Sequence, residues 1–231
     1  MPEKIALSWS SGKDAALALH RLQAAGYSVV RLLTTISADT DRVTMHGVRQ
    51  SLLQAQASAI GIPLLAVLLP TSTSHDAYEQ AMASACEQLR GEGIATVAFG
   101  DIFLQDLRAY REKQLAKAGL KALFPLWSEP TDTLVLEMER TGIQATIVCI
   151  DGRLLDSSLL GRTVNAGLLS DLPEGVDPCG ERGEFHSFVT DAPFFKWPVP
   201  VRHGEIVQRS YPAPDGGAPA SFLFLDLLPA G

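Results

Sequence analysis

The sequence predicts an α/β fold, in which an open parallel sheet with helices on both faces is followed by a smaller α+β unit. Short apolar runs, typical of buried parallel strands, alternate with segments of helical spacing through residues 1–127. This alternation indicates crossover units that return every strand in the same direction. From residue 128 to 231 the chain instead carries strand-like segments between stretches rich in Gly and Pro. We therefore expect two domains, 1–127 and 128–231.

The first unit opens with an unbroken apolar run, Ile5 to Trp9, which predicts a buried strand. Alanine and leucine then recur at helical spacing up to Ala25, and Gly26 suits the residue after a helix end. The elements that follow are predicted as a strand over Val29–Ile36, a helix over Val48–Ile60, a strand over Leu64–Leu69, a helix over His75–Arg90, a strand over Ile94–Gly100, a helix over Leu104–Ala118 and a short strand near Leu123. Loops at the carboxyl ends of such strands are where ligands bind.

The second unit begins with a predicted helix over Thr131–Arg140 and a strand over Ala145–Ile150. Three later segments, GEFHSFV, VPVRHGEIVQ and SFLFLDLL, have the composition of short strands, with PAPDGGAPA as a loop between the last two. An apolar strand such as SFLFLDLL, if it were an exposed edge, would pair across a homodimer.

Composition argues against two kinds of partner, nucleic acids and membranes. The net charge of −7 and the pI near 5.2 argue against a surface that neutralises a nucleic-acid backbone. No apolar stretch approaches the roughly 20 residues that a membrane span needs, and the N-terminus does not resemble a signal peptide. We therefore expect a cytoplasmic protein with no membrane partner. Its three cysteines, Cys86, Cys149 and Cys179, lie far apart and are interpreted as reduced thiols.

The loop Ser10 to Asp14, between the first strand and the first helix, has the features of an anion site. Gly12 and the small Ser11 make a compact turn, so free amides and the positive end of the helix dipole face one volume. Lys13 adds a full charge, and the two serine hydroxyls can donate to phosphate oxygens. Asp14 can cap the helix or hold a magnesium ion. Phosphate is the expected ligand.

The loop matches neither of the two commonest nucleotide motifs. A Walker A loop requires glycine where this chain has Leu7, and the G-x-G-x-x-G fingerprint is absent. The stretch SSGKDA instead resembles the S-G-G-x-D-S signature of the PP-loop ATP pyrophosphatases, with Ser11 in place of the first glycine and Ala15 in place of the last serine. A tight turn without a ligand is the alternative interpretation.

Two further stretches carry a more specific resemblance. Gly100 and Asp101 stand at the end of a predicted strand in GDIF, which is followed by PLW, and the segment CGERGEFHSFV combines acids, glycines and a histidine. With the opening loop, in this order and over nearly the whole chain, these stretches resemble the diphthine-ammonia ligase family. Its members are PP-loop enzymes with a HUP-like fold that make an amide from a carboxylate, ammonia and ATP. The Ala-rich, Lys-poor composition suggests a bacterial-type member.

The resemblance implies a role for each group of residues. Ser10, Ser11, Gly12, Lys13 and Asp14 would form the pyrophosphate cradle, with Lys13 and Asp14 also catalytic. Ile36, Ser37 and Gly100 would lie beside the nucleotide, and Asp14 and Asp101 would hold Mg²⁺. The acceptor side is expected to contain the catalytic Asp101, Glu181 and Glu184, together with Gly180, His186, Arg108 and Arg111.

Other interpretations of these residues stay open. Asp101 would be a helix cap, Arg108 and Arg111 would pair with surface acids, and the acids of the glycine-rich segment would be merely solvated. His46 and Arg49 would line the ligand entrance or a helix surface, and Cys179 is expected to be a buried filler.

The expected function is that of an AMP-forming, ATP-dependent carboxylate–ammonia ligase. The substrates would be ATP with Mg²⁺, ammonia or another amine, and a carboxylate acceptor that is a small molecule or a modified protein residue. The rival hypotheses are a regulatory protein that binds ATP or AMP without turnover and a PP-loop enzyme that acts on RNA.

Overall fold

The computed structural model describes residues 2–43, 46–70, 74–211 and 219–230. The strands are β1 (Lys4–Ser8), β2 (Ser28–Ser37), β3 (Arg42–Val43), β4 (Leu64–Leu69), β5 (Thr96–Ala98), β6 (Lys121–Leu123), β7 (Gln144–Asp151), β8 (Phe185–Asp191), β9 (Val201–Tyr211) and β10 (Ala220–Pro229). The helices are α1 (Lys13–Ala24), α2 (Gln50–Ile60), α3 (His75–Gly91), α4 (Gln105–Lys117), α5 (Thr131–Thr141) and α6 (Ala166–Asp171). No helix in these ranges is long and apolar enough to span a membrane.

The first sheet confirms the predicted α/β class. Its parallel strands lie in the order β4-β2-β1-β5-β6, and the two-residue β3 runs antiparallel to the end of β2. Strand β1 has β2 on one side and β5 on the other, so the order of the strands reverses at β1. A crevice opens beyond the carboxyl ends of strands at such a reversal. The loops after β1 and β5 therefore meet at one edge of the sheet.

The second sheet is antiparallel, in the order β8-β7-β10-β9, and confirms the smaller C-terminal α+β unit. The segment SFLFLDLL forms β10, which pairs with β7 on one side and with β9 on the other. The expectation that it is an edge strand is therefore wrong, because both of its sides carry ladder hydrogen bonds. Most of the predicted loop PAPDGGAPA, residues 212–218, lies outside the described residues.

Helix α1 is buried between the two units. Its alanines and leucines at positions 15–19 and its Leu22 are at most 3% exposed, and one core cluster joins them to Ile147 on β7 and Phe188 on β8. A separate cluster fills the opposite face of the first sheet beneath α3 and α4. A helix that is apolar on several sides needs packing partners on several sides. The second sheet packs against the side of α1 that the first sheet leaves uncovered.

A charged cluster also joins the units at their edge. Asp226 on β10 accepts from the guanidinium groups of Arg42 at 2.9 Å and Arg49 at 2.6 Å, and its side chain is 16% exposed. Burial alone would raise the pKa of Asp226, but the hydrogen bonds from Arg49 and Arg42 outweigh it and lower that pKa. The carboxylate is thus ionised at neutral pH.

Asp226→Asn should lower the free energy of unfolding by about 1.5–3 kcal/mol, because charge-assisted hydrogen bonds to both arginines are weakened. Since the folded pKa is depressed, this contribution is full above about pH 4 and is lost as the pH falls through the folded value. Urea unfolding at pH 7 and at pH 3 measures both effects. The control is Glu112→Gln in an exposed pair with Arg108, expected to change stability by about 0.5 kcal/mol or less. Equal losses for the two variants would contradict this account.

Candidate functional site

The loop between β1 and α1 is buried and conformationally constrained. Gly12 is the N-cap of α1, and Ser11, fully buried, has a φ of +74° in the left-handed region. Serine adopts this conformation only when its surroundings hold it there. The glycine of the PP-loop signature would adopt it freely, so this chain keeps the conformation with a residue that adds a hydroxyl group.

The second unit completes the walls of this loop. On β8, the Val189 amide donates to the Ser11 carbonyl at 2.9 Å, and the Ser187 hydroxyl accepts from the Lys13 amide at 3.2 Å. The sequence motifs predicted a cradle from the first unit alone and did not indicate Ser187. The quoted segment CGERGEFHSFV contains it, but only the packing of β8 against α1 reveals its contact.

Lys13 bridges the two units from within the buried loop. Its ammonium donates to Asp14 Oδ2 at 2.9 Å and to the Cys179 carbonyl, and it lies 5.0 Å from the centre of the Phe185 ring. Burial alone would lower the pKa of Lys13, but the charge and the hydrogen bond of Asp14, together with the charges of other nearby acidic groups, outweigh it and raise that pKa. The lysine therefore stays charged at neutral pH.

Two polar atoms in the loop have no hydrogen-bond partner among the described residues. They are Ser11 Oγ and Asp14 Oδ1, and both are buried. Buried polar atoms are rarely left without a partner, so their occurrence in one loop indicates a site for a ligand or ordered water. A hydroxyl suits a phosphate oxygen, and a carboxylate oxygen suits Mg²⁺ or its water. Asp14 does not cap α1, because the N-cap is Gly12 and makes no side-chain bond.

A protein-only metal site is absent from the part of the chain described here, which contains no cluster of three or more ligating His, Cys, Asp or Glu side chains. Mg²⁺ typically takes one or two carboxylates and completes its shell with water and substrate phosphates. Asp14, with one carboxylate oxygen uncommitted, fits that sparse requirement.

Asp101, after β5, is held by Arg111. Arg111 Nε lies 2.5 Å from Asp101 Oδ2, and the guanidinium packs 4.3 Å from the centre of the Phe99 ring. Helix α4 begins only at Gln105 with Leu104 as its N-cap, so Asp101 is not a helix cap. Arg111 therefore positions Asp101 at the carboxyl end of the sheet.

Glu181 reaches the same edge from the second unit. Its Oε1 accepts from the Ile102 amide at 2.8 Å. Burial chiefly, with the charges of Asp14 and Asp101, raises the pKa of Glu181 to about 7. A carboxyl group that is half ionised near neutral pH can accept or return a proton during a reaction. The acids of three separate segments therefore share one electrostatic environment.

The other acids of this segment build its shape. Glu184, 3% exposed, accepts from the amides of Asp177 and Arg182 at 3.0 and 2.9 Å. Asp177 in turn accepts from the amides of Cys179 and Glu181, both at 3.0 Å. The sequence pattern did not distinguish Glu181 from Glu184 and indicated no role for Asp177. The geometry separates them, since Glu184 and Asp177 brace the loop that presents Glu181.

Gly180 makes the tight turn within this loop. Its φ is +64°, and a Cβ atom there would lie 2.8 Å from Phe185. Cys179 is buried, its thiol donates to the Thr131 carbonyl at 3.4 Å, and burial raises its pKa, so it is an inert thiol at neutral pH. This agrees with its interpretation as a filler.

Two histidine rings lie in contact beside the loop, tilted by 33° to each other. The rings of His46 and His186 have centroids 4.5 Å apart, and His46 Nδ1 lies 3.4 Å from the Ser187 carbonyl. Burial lowers the pKa of His46 to about 4 and that of His186 well below its usual value, so both are neutral at pH 7. Nε2 of His186 is buried without a partner in the described structure. His186 is thus placed at the cradle, and His46 joins it there.

Of the remaining candidates, the two arginines make contacts outside the loop, whereas Gly100 lies against it. Arg108 pairs with the exposed Glu112 and lies over the Trp127 ring at 4.5 Å, and Arg49 binds Asp226. The side chain of Ile36 is fully buried in the core, while Ser37 ends β2. A Cβ atom on Gly100 would lie 2.9 Å from the Asp14 carbonyl carbon, so this glycine allows the loop after β5 to approach α1 closely.

Comparison with known proteins covers nearly all of this chain. The family models described as the diphthamide synthase N-terminal and C-terminal domains match residues 3–122 and 130–211. A diphthine–ammonia ligase of Homo sapiens is 27% identical over 97% of this chain and 91% of its own length. One of Danio rerio is 28% identical over 93% of this chain and 91% of its length, and one of Schizosaccharomyces pombe matches only 51% of this chain and 20% of its length at 27% identity. The chain therefore belongs to the diphthamide synthase family, which confirms the resemblance inferred from its motifs.

Proposed function

We propose that this protein is an ATP-dependent ligase that adenylates a substrate carboxylate, releases pyrophosphate, and then transfers ammonia to the acyl group with release of AMP. The observation that carries the proposal is the buried loop at the strand reversal, where Ser11 Oγ and Asp14 Oδ1 lack partners beside a charged Lys13. The names of the relatives, diphthine–ammonia ligases, support an amide-forming reaction.

The cradle would hold the pyrophosphate end of ATP. The Ser11 hydroxyl, the Gly12 amide and the positive end of α1 supply donors, and Lys13 supplies a full charge. Asp14 would hold Mg²⁺, which offsets phosphate charge when bound. The protein's contribution is to fix the α-phosphorus in line with the attacking carboxylate and to leave pyrophosphate stabilised as a leaving group.

The acceptor would lie between the loop after β5 and the segment 177–187. Glu181 is its candidate general base, because ammonia must lose a proton as it becomes an amide nitrogen. Asp101, oriented by Arg111, would hold the amine or a cation at the same edge. The acceptor carboxylate is a diphthine-like protein residue or a small molecule of similar chemistry.

Two observations favour the alternative of a nucleotide sensor. Ala15 lacks the hydroxyl of the PP-loop signature, and the Lys13 ammonium already binds Asp14 and the Cys179 carbonyl. A sensor would bind ATP tightly without cleaving it.

Incubation with ATP labelled at the α-phosphate, ammonium chloride and a panel of carboxylates that includes diphthine should yield AMP and pyrophosphate with the matching acid.

Ser11→Ala should raise KM for ATP by about tenfold, because one hydroxyl donor to the phosphates is lost. Ser210→Ala on the exposed strand β9 is the matched control and should leave KM unchanged. Formation of ADP and phosphate would contradict the proposal, and tight ATP binding without pyrophosphate release would establish the sensor.

The amide-forming step should depend on the ionisation of Glu181. At a constant concentration of unprotonated ammonia, the rate should rise with pH around 7, because the neutral carboxyl cannot accept a proton below its pKa of about 7. Glu181→Gln keeps an oxygen for the Ile102 amide and should abolish this rise, with a rate lower by about a hundredfold. Glu174→Gln, at an exposed acid just before the segment 177–187, is the control. An unchanged pH profile in Glu181→Gln would exclude Glu181 as the base.

A further inference from the structure

Gln56, on α2, is a fully buried amide at the junction of the two units. Its Oε1 accepts from Trp9 Nε1 at 2.9 Å, and its Nε2 donates to the Ser11 carbonyl at 3.2 Å and to the Val189 carbonyl at 2.7 Å. One side chain thus binds the end of β1, the cradle loop and β8. An amide that occupies both of its N–H donors and its oxygen in a dry core has no freedom to rotate.

The Ser11 carbonyl is held by two donors. The Val189 amide donates to it at 2.9 Å, and Gln56 Nε2 is the second donor. A carbonyl oxygen has two lone pairs, so both acceptor sites are satisfied. The orientation of the peptide between Ser11 and Gly12 is therefore fixed from the core side.

Fixing this carbonyl also fixes the direction of the next amide. In a planar trans peptide the C=O and N–H groups point in opposite directions, so the Gly12 N–H points away from Gln56. It faces the Ser10 hydroxyl, at a long 3.4 Å, on the side of the cradle. If this peptide turned over, a carbonyl oxygen would replace the amide donor in the cradle and would repel a phosphate.

We propose that Gln56 is a positioning residue that holds the Ser11–Gly12 peptide in the orientation that binds the pyrophosphate group of ATP. The left-handed conformation of Ser11 makes such a restraint necessary, because serine without it favours other backbone conformations. The inference rests on the proposed function, since it assigns phosphate to the cradle. It adds that α2 and β8, rather than the loop alone, determine the affinity of the cradle for phosphate.

The test compares two variants that each break a hydrogen bond of Gln56. Gln56→Met, close in size, removes both donors to the carbonyls of Ser11 and Val189. Trp9→Phe removes only the indole N–H bond to Gln56 and leaves those donors in place. Calorimetric titration with pyrophosphate, MgATP and adenosine should show about tenfold weaker binding of the first two to Gln56→Met, with adenosine unchanged. Trp9→Phe should bind all three within about twofold of the unaltered protein.

The adenosine titration separates positioning from a general loss of structure. If Gln56→Met weakens adenosine as much as pyrophosphate, or if Trp9→Phe weakens pyrophosphate equally, the residue is merely structural and the inference is wrong. Unchanged pyrophosphate affinity in Gln56→Met overturns the inference alone. An unaltered protein that binds neither pyrophosphate nor MgATP overturns the proposed function as well. Gln56→Met leaves the indole N–H of Trp9 buried without an acceptor, which can prevent folding. In that case the double variant Trp9→Phe/Gln56→Met, which lacks this N–H, is compared with Trp9→Phe.

Discussion

The burial of helix α1 between two sheets is the constraint on which the rest of the structure depends. This helix packs against the parallel sheet on one side and against β8 on the other. The loop that precedes it is enclosed by the same contacts, because Val189 and Ser187 belong to β8. The fold therefore places the phosphate-type loop in a largely buried, preorganised environment, with the side chain of Asp14 26% exposed. Donors in such an environment are worth more than they are in water.

Enclosure also determines the charge balance of the site. Lys13 is the cation that contacts the loop, and it faces Asp14 and the partly protonated Glu181, while Arg111 neutralises Asp101. The loop thus sets one lysine ammonium against the carboxyl groups of Asp14 and Glu181. A nucleoside triphosphate carries more negative charge than one ammonium and a helix dipole offset, so a divalent cation is expected to enter with it. The raised pKa of Glu181 follows from the same burial, which links the shape of the site to its acid–base chemistry.

The strand and helix pattern of this chain was largely predictable because its signals are local. Strand β4 agrees with the prediction residue for residue, and helix α5 differs by one residue. Strand β3 was missed, since two residues carry no period and pair only because β2 extends past β1. Helix α6 was missed because it has six residues and depends on the Asn165 side chain that caps it.

The site was predictable only in part, because its members are joined by contacts distant in sequence. The loop, Asp101 and Glu181 stood out by motif and by position at strand ends. The spacing of residues in the sequence does not distinguish Glu181 from Glu184. In the structure Glu181 faces the site, whereas both carboxylate oxygens of Glu184 accept hydrogen bonds from backbone amides. Gln56 lies 45 residues from Ser11 in an ordinary amphipathic helix, and nothing local marks it. Residues that position a site by contacts within the core are therefore not recognisable from a sequence motif.

A crystal structure with Mg²⁺ and an ATP analogue whose α–β bridge resists cleavage tests the central claim most directly. The account predicts the β and γ phosphates against the Ser11 hydroxyl and the Gly12 amide, with the α-phosphorus turned toward Glu181 and the segment 177–187. A nucleotide bound elsewhere, or bound with its phosphates directed away from the β1–α1 loop, would contradict it.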